Sequence, residues 1–588
     1  MGKSAETLAV FAKVFFQMLS MSFQHLRRLW GRPRNQTRQR HRALEMLEPR
    51  QMLSAQPMIT EIMASNRQTL EDGNGRSSDW IEIYNAGDQT ADLTGWFLTD
   101  DPQTLNRWRL PEVRVEPEQY LLVFASAGSF PGAIDQDGLL HANFKLSSSG
   151  ETLMLVKPDQ TVAQKLEFPK QYRDVSYGFA MPNLDQVGFF TSASPGDANG
   201  ELRSGVTQQE VTMATPSGSF TEPFLLELKA AEEGQIVYSL DGSVPGEDAT
   251  PYVEPISISK STQVRARLLQ VDRVLGPTST SNYVKLDAEV ADFKSQLPIM
   301  VIDNFNAGRI PNRGWNQTNA KVKQLPRQSA SLMLFDTDDS DARLRHAADL
   351  SSRIGIRVRG AFSTTFRENN YSVESWGDGD DSDAKISPLG IAADSDWVLY
   401  APNPEHDQTL IDNAFLFELS NQMGNWAPEV RYVEAFVNTT GDEVTMDDYV
   451  GLYAITEKVK RAEDRISFDE FGLDGKSGGW LLGINRMDPI ALDGSLPKNF
   501  HTAGPDGRLR TERDLSNSSS RGDDIPRQYN AYINYDDPTG QDINPQQRDA
   551  ISAWFDTMES VLYERAEGVA WNDPLEGYAK YIDVDNFI

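Results

Sequence analysis

From residue 58 the chain alternates apolar and polar positions over short runs. MITEIMAS (58–65) and DWIEIYNAG (79–87) turn every second side chain toward an apolar face, the period-two pattern of a half-buried strand. TGWFLTDD (94–101), RWRLP (107–111), YLLVFAS (120–126) and ETLMLVK (151–157) continue the series, with Gly, Asp and Pro between the runs. Short strands spaced this way predict an antiparallel sandwich over 58–199. Trp80 and Trp96 fall at strand positions and are expected to pack in its core rather than serve as ligand platforms. Asp135 and Asp137 before Gly138 read as a solvated turn, because two carboxylates fall short of the about six to eight oxygens that Ca²⁺ takes.

Ser-Pro-Gly (194–196) and Ala-Asn-Gly (198–200) mark a linker. FLLELKA (224–230), QIVYSLDGSVP (235–245) and ISISKSTQVRARLLQ (256–270) then predict a second, smaller sandwich over 211–286. Tyr238 and Tyr252 are its expected core aromatics, and Asp241-Gly242 its tight turn.

Beyond Leu297-Pro298 helical periods join the strands, so 297–588 reads as α+β. In IGIRVRG (354–360), Ile354, Ile356 and Val358 share one strand face, and Arg353, Arg357 and Arg359 the other. GAFST (360–364) is a small-residue turn, and YSVESW (371–376) returns as a strand. Two arginines beside a Gly-Ser turn could hold phosphate oxygens. The acid run DGDDSD (378–383) could equally neutralise them. Residues 407–423 place Ile411, Phe415 and Leu419 on one helical face, and RYVEAFVN (431–438) and YVGLYAITEKVK (449–460) predict a hairpin-like strand pair. A second helix is predicted from about Pro545 to Glu564, with Ile551, Trp554, Phe555, Met558, Val561 and Leu562 toward a core. Asn544 is its expected N-cap and Pro545 its first residue.

A length of 588 residues gives a prior of about four domains, and a hydrophobic content of 39% excludes a wholly disordered chain. The formal net charge of −30 argues against nucleic acid and anionic lipid as partners. It is unevenly spread: residues 1–50 hold ten cations against three glutamates, which leaves −37 for the rest. Cysteine is absent, so disulfides and thiolate metal sites are excluded, and the six histidines are scattered without a metal cluster. No uninterrupted apolar run is long enough to span a membrane.

Several of these runs also resemble known families. RRLWGRPRNQTRQRHR (27–42) followed by LEPRQMLSA (47–55) resembles the LEPR-type signature near the N-terminus of many large exported planctomycete proteins. It implies a basic, largely disordered leader over 1–57 and an exported protein, periplasmic or at the cell surface. The ordered set I-T-E-I, D-W-I-E-I-Y-N, D-L-T-G-W-F-L, Y-L-L-V-F-A and L-S-S-S-G-E-T-L-M-L resembles the lamin-tail domain, which implies an immunoglobulin-like sandwich acting as a binding or spacer module. T-P-S-G-S-F, I-V-Y-S-L-D-G-S-V-P and T-Q-V-R-A-R-L resemble the Fn3- or chitobiase-C-terminal-type module of bacterial secreted proteins. R-V-R-G-A-F-S (357–363), S-P-L-G (387–390), D-W-V-L-Y-A-P (396–402), L-I-D-N (410–413), E-A-F-V-N (434–438), G-L-Y-A-I-T-E-K-V (451–459) and G-G-W-L-L (478–482) resemble the CotH (spore-coat protein H) kinase-like family.

That last resemblance implies an atypical protein-kinase fold that passes phosphate from ATP, with Mg²⁺ or Mn²⁺, to exported protein substrates. By position, Arg357, Arg359 and Ser363 would lie near the nucleotide phosphates, and Glu457 at the edge of the cleft. Two departures qualify it. Before Tyr371 the family places one or two lysines, where this chain has F-R-E-N-N and only Arg367. The chain also ends at YIDVDNFI (581–588), where relatives continue to their catalytic acids and a W-D-x-D-like metal-binding stretch. The domain is therefore expected to be C-terminally truncated, with no catalytic or metal-ligating residue assignable. Asp583 and Asp585 read as helix-capping residues rather than stand-ins. Phosphoryl transfer is expected at background level, and a non-catalytic surface or adhesion scaffold is the alternative.

Overall fold

A computed structural model describes residues 54–588 except 68, 74–75, 128–132, 136, 182–183, 313–325, 338–340, 345–346, 361, 380, 473, 486–498, 501–531, 541–542, 564–569, 571–572, 574, 576 and 582–588. The basic leader, including nearly all of LEPRQMLSA, and Asp583 and Asp585 lie outside the described residues.

The alternating runs of the first segment become β1 (Pro57–Met63), β2 (Asp79–Asn85), β3 (Phe97–Thr99), β4 (Trp108–Arg109), β5 (Tyr120–Ala125), β6 (Leu140–Ala142), β7 (Glu151–Val156), β8 (Val162–Phe168), β9 (Ser176–Phe179), β10 (Val187–Phe190) and β11 (Leu202–Arg203). They form a seven-stranded sheet ordered β11-β10-β9-β1-β2-β5-β6 and a four-stranded sheet ordered β8-β7-β3-β4. Ile59, Ile81, Ile83 and Val123 of the first sheet meet Leu98, Leu153, Leu155 and Phe168 of the second in one apolar cluster, the arrangement of a sandwich. Trp80 is fully buried, in a separate cluster with Met63 and Phe124, and Trp96 packs partly buried on the main core. Asp135 departs from expectation: it is buried rather than solvated. Its carboxylate accepts the N–H groups of Gly73, Asp137 and Leu139 and pairs with His141 at 3.0 Å.

The second segment contains β12 (Gly218–Phe220), β13 (Phe224–Leu226), β14 (Gln235–Ser239), β15 (Thr250–Pro251), β16 (Ile256–Ile258), β17 (Thr262–Leu269) and β18 (Ser279–Lys285). Five of them form a sheet ordered β12-β18-β17-β14-β15, with β13 paired to β16. Tyr238 and Tyr252 pack partly buried on its core, whereas Tyr283 is the aromatic at its centre. Gly242 takes φ +79° in the tight turn, where Asp241 Oδ1 accepts Ser243 N–H at 3.0 Å.

The third segment is organised by a closed barrel. Its strands are β19 (Ile299–Asp303), β20 (Gln328–Phe335), β21 (Leu350–Arg359), β22 (Asn370–Trp376), β23 (Asp396–Tyr400), β24 (Val430–Asn438) and β25 (Tyr449–Glu457), in the order β19-β20-β21-β22-β23-β25-β24. Parallel pairing of β19 with β24 closes the ring. The interior is filled by Met300, Ile302, Leu332, Ile354, Ile356, Val373, Trp397, Leu399, Val433 and Tyr453. Every residue of β19 is buried, because Ile299 and Val301 face an outer cluster with Leu286, Val290 and Phe436. This strand therefore shows no alternation in its sequence.

The second module is fixed to the barrel. Arg265 donates to Asp378 O, Asn282 Nδ2 donates to Ser351 Oγ at 3.0 Å, and Lys285 Nζ pairs with Glu443 at 2.5 Å.

Helix α1 (Asp412–Gln422) forms where expected, but none of its residues is buried, and Phe415 is 61% exposed. Its apolar face, read from spacing as a packing face, is covered by no other described element. Helix α2 (Pro545–Tyr563) matches expectation more closely. Gln547 N–H bonds Asn544 Oδ1 at 2.9 Å, and Gln547 Oε1 accepts Asn544 N–H at 3.0 Å, a reciprocal cap. Ile551 is buried among Phe471, Tyr535 and Ile543; the Leu562 side chain lies outside what is described.

Gly355 of β21 lies under the Trp376 indole, and a Cβ there would approach the ring to 2.0 Å. Gly355→Ala should therefore cost about 2 kcal/mol or more through overpacking, measured as a fall in the chemical-denaturation midpoint.

Candidate functional site

Strand β21 sets the geometry of the arginines. With Ile354, Ile356 and Val358 inside the barrel, Arg353, Gly355, Arg357 and Arg359 lie on its outer face. Arg357 stands opposite Ser372 and Arg359 opposite Asn370 on β22. Arg353 is committed to structure. Its Nη2 pairs with Asp381 at 2.7 Å, its Nη1 donates to Gly377 O at 2.7 Å, and its guanidinium lies 5.8 Å from the Trp376 ring centroid. The acid run thus engages Arg353.

Arg359 ends the strand, exposed, with no ion pair among the described residues. Enough protein surrounds it for desolvation to lower its guanidinium pKa, though arginine remains charged at neutral pH. Gly360 follows at φ +99°, and a Cβ there would lie 2.0 Å from Ser363 Oγ. Only glycine lets the chain leave the strand this closely folded. A 3₁₀ segment, Phe362–Thr365, follows, and Phe366 N–H bonds Ser363 O at 3.2 Å. Arg359, Gly360 and Ser363 are thereby gathered at one barrel end. Arg357 is half-buried two residues back along the same face. Arg367 stands out from the surface, 92% exposed and 3.3 Å from Glu368.

Glu457 lies elsewhere. Its register partner Trp397 on β23 faces the barrel interior, as does Val373 beside it on β22, so Glu457 is on the opposite side of the wall from Arg357 and Arg359. Three strand steps also separate it from β21, roughly 14 Å across the sheet. It is buried, accepts Glu429 N–H at 2.8 Å and meets Arg465 Nε at 3.2 Å. It does line a cleft of about 510 Å³, shared with Glu418, Asn421, Trp426, Glu429 and Arg431.

Arg465 belongs to an ion-pair network whose members are distant in sequence. It reaches Asp394 at 3.4 Å and packs 5.9 Å from the Trp397 ring centroid. Lys460 bonds Asp394 at 2.6 Å and Asp396 at 3.0 Å, and Lys458 reaches Asp396 at 3.0 Å. Burial alone would raise the Asp394 pKa, but the Asp396 N–H, Lys460 and Arg465 outweigh it and hold the carboxyl below its usual value. Burial would likewise lower Lys460, and its two aspartates reverse the sign. Sequence reading missed this network, because only strand register brings residues 394–396 beside 457–465.

Tested against a nucleotide with its cation, the residues fit in part. Arg359, Gly360 and Ser363 suit phosphate oxygens: a cation without an ion pair among the described residues, beside a tight turn. Among the described residues no three acidic or histidine side chains converge to seat a divalent ion.

Comparison with known families gives three matches. Residues 51–170 match the Lamin Tail Domain, 215–280 the Chitobiase/beta-hexosaminidase C-terminal domain, and 356–588 the CotH kinase protein family. A comparison with curated proteins gives no match. The chain therefore carries a lamin-tail, a chitobiase C-terminal-type and a CotH-type domain. The CotH match begins inside β21, so β19, β20 and half of β21, which complete the barrel, precede it. No helix among the described residues is long and apolar enough to cross a membrane.

Asp394→Asn removes one partner of a buried pair and should cost about 3 kcal/mol at pH 7 in chemical denaturation. The folded pKa lies below the unfolded value of 3.8. The wild-type advantage should therefore be complete above that value and shrink only as pH falls through the lower, folded one.

Proposed function

We propose that the chain is an exported modular protein whose CotH-type domain binds the phosphates of ATP at the end of β21, with two β-sandwiches as spacer or binding modules. Arg359 carries the reading: it is a cation left unpaired among the described residues, at a strand end that Gly360 folds tightly against Ser363. Arg357 backs it from the same face, and Arg367 adds positive charge at the rim of the loop. Glu457 serves the domain by fixing Arg465 under Trp397 rather than by touching nucleotide. Export is supported by the basic run 27–42 ahead of LEPRQMLSA.

In the CotH family the bound ATP gives up its γ-phosphoryl group to protein substrates with a divalent cation. For this polypeptide transfer is proposed to be at background level, since before Tyr371 the family's lysines are replaced by F-R-E-N-N, where only Arg367 is cationic and guanidinium is a poor geometric substitute for a lysine contact. A scaffold reading is favoured by one observation: Arg265, Asn282 and Lys285 fix the second module to the barrel, as a rigid spacer requires.

Titration of the full chain with ATP tests the site. Arg359→Ala should weaken nucleotide binding about 10- to 100-fold, the loss of one charge-assisted contact, with the denaturation midpoint unchanged. Equal binding by wild type and variant would refute the site. Robust Mg²⁺- or Mn²⁺-dependent transfer of ³²P from γ-labelled ATP would refute the background-level activity.

A further inference from the structure

We infer that Glu61 and Glu82 form a proton-held latch that seats residues 194–199 on the first sandwich and opens as pH rises past neutrality. The two glutamates are direct cross-strand partners on β1 and β2, and both are fully buried. They lie on the sheet face away from the main core, under the segment that leaves β10. The contacts made to them are hydrogen-bond donors. Glu61 accepts Ser176 Oγ at 2.5 Å, and Ser194 N–H and Oγ at 3.3 Å. Glu82 accepts Thr60 Oγ1 and Gly196 N–H, each at 2.7 Å. Asn199 Nδ2 closes the segment onto Thr60 O at 3.0 Å and Phe179 O at 2.9 Å.

Neither glutamate has an ion pair among the described residues. The titratable groups that act on Glu82 are Glu61 and, from the covering segment, Asp197. Tyr120 on β5 feels Glu82, Tyr84, Asp197 and Glu118. The charged groups that act on Glu82 are thus acidic, and the groups that bond Glu61 are neutral. Two neighbouring carboxylates without a cation cannot both ionise cheaply in a dry site. Burial pushes Glu61 up to about 6 and Glu82 up to about 7, against the opposing hydrogen bonds of Ser176, Ser194, Gly196 and Thr60.

The direction follows from linkage. Both values lie above the 4.5 of an open, hydrated glutamate, so the closed form holds more protons. Closure is fully supported below 4.5 and weakens as pH climbs through 6 and 7. Two anions beneath 194–199 are then relieved by letting water in. What loosens is a junction. The segment leads to β11, where Arg203 meets Glu247 of the second module at 3.2 Å, and to Gly205–Val206, which pairs in parallel with Arg273–Val274. The latch therefore governs how firmly the first sandwich is joined to the second.

Hydrogen exchange with mass spectrometry on the full chain tests this, with rates corrected for intrinsic pH dependence. Between pH 5.5 and 8.5, protection of residues 191–200 should fall at least tenfold, while the β7–β8 hairpin of the same module changes less. In the Glu61→Gln/Glu82→Gln variant, residues 191–200 should stay protected at pH 8.5. Unchanged protection in the wild type, or an equal fall in the variant, would overturn the latch. If the double variant fails to fold, the wild-type profile against β7–β8 decides alone.

Discussion

The third domain depends on one pairing, the parallel ladder between Ile299–Asp303 and Val430–Asn438. Without it the seven strands would form an open sheet with two free edges, and the interior side chains would face solvent along the seam. Closure also orients the candidate site. It turns the apolar residues of β21 inward, which forces Arg353, Arg357 and Arg359 outward and leaves the last of them at the rim. The phosphate-binding reading is thus a by-product of how the barrel is filled.

The chain treats buried charge in two opposite ways. In the network around Arg465 and Lys460 each ion meets a counter-ion, and Asp394 and Asp396 are held below the usual carboxylate value. Around Glu61 and Glu82 only hydroxyl and amide donors are supplied, and the values rise. The same side-chain chemistry therefore yields a lock that weakens only in acid in one domain and one that weakens as pH rises in another. The difference lies in whether a guanidinium or ammonium group can reach the site.

Much of the fold was legible because its strands are short runs rich in apolar residues and bounded by turn residues. MITEIM and DWIEIY mix polar positions with apolar ones, YLLVFA is an apolar run, and each became a strand within two residues of its expected bounds. Ile299–Asp303 was not legible: it is buried on both faces, so its apolar run has no period to read. For Asp412–Gln422 the period was real but misleading, since spacing marks an apolar face without showing that anything covers it. At the candidate site, the two arginines and the Gly-Ser turn were visible as neighbours in sequence. That Arg353 takes the acid run, and that Glu457 belongs with Arg465, required the register of four strands. Asp135 shows the same limit: a turn was correctly read, but its carboxylate is also held by Gly73, 62 residues back along the chain, and by His141.

Barrel closure has a further consequence, for biogenesis. Asp303 and Asn438, which hydrogen bond at the seam, are 135 residues apart. At translation rates of about 5–20 residues per second, β19 waits on the order of ten seconds for its partner to emerge. Throughout that interval a strand that is apolar except for Asp303 presents an unsatisfied edge, the template on which nascent chains mispair. A holdase that shields Ile299–Asp303 would protect the polypeptide at its most vulnerable stage.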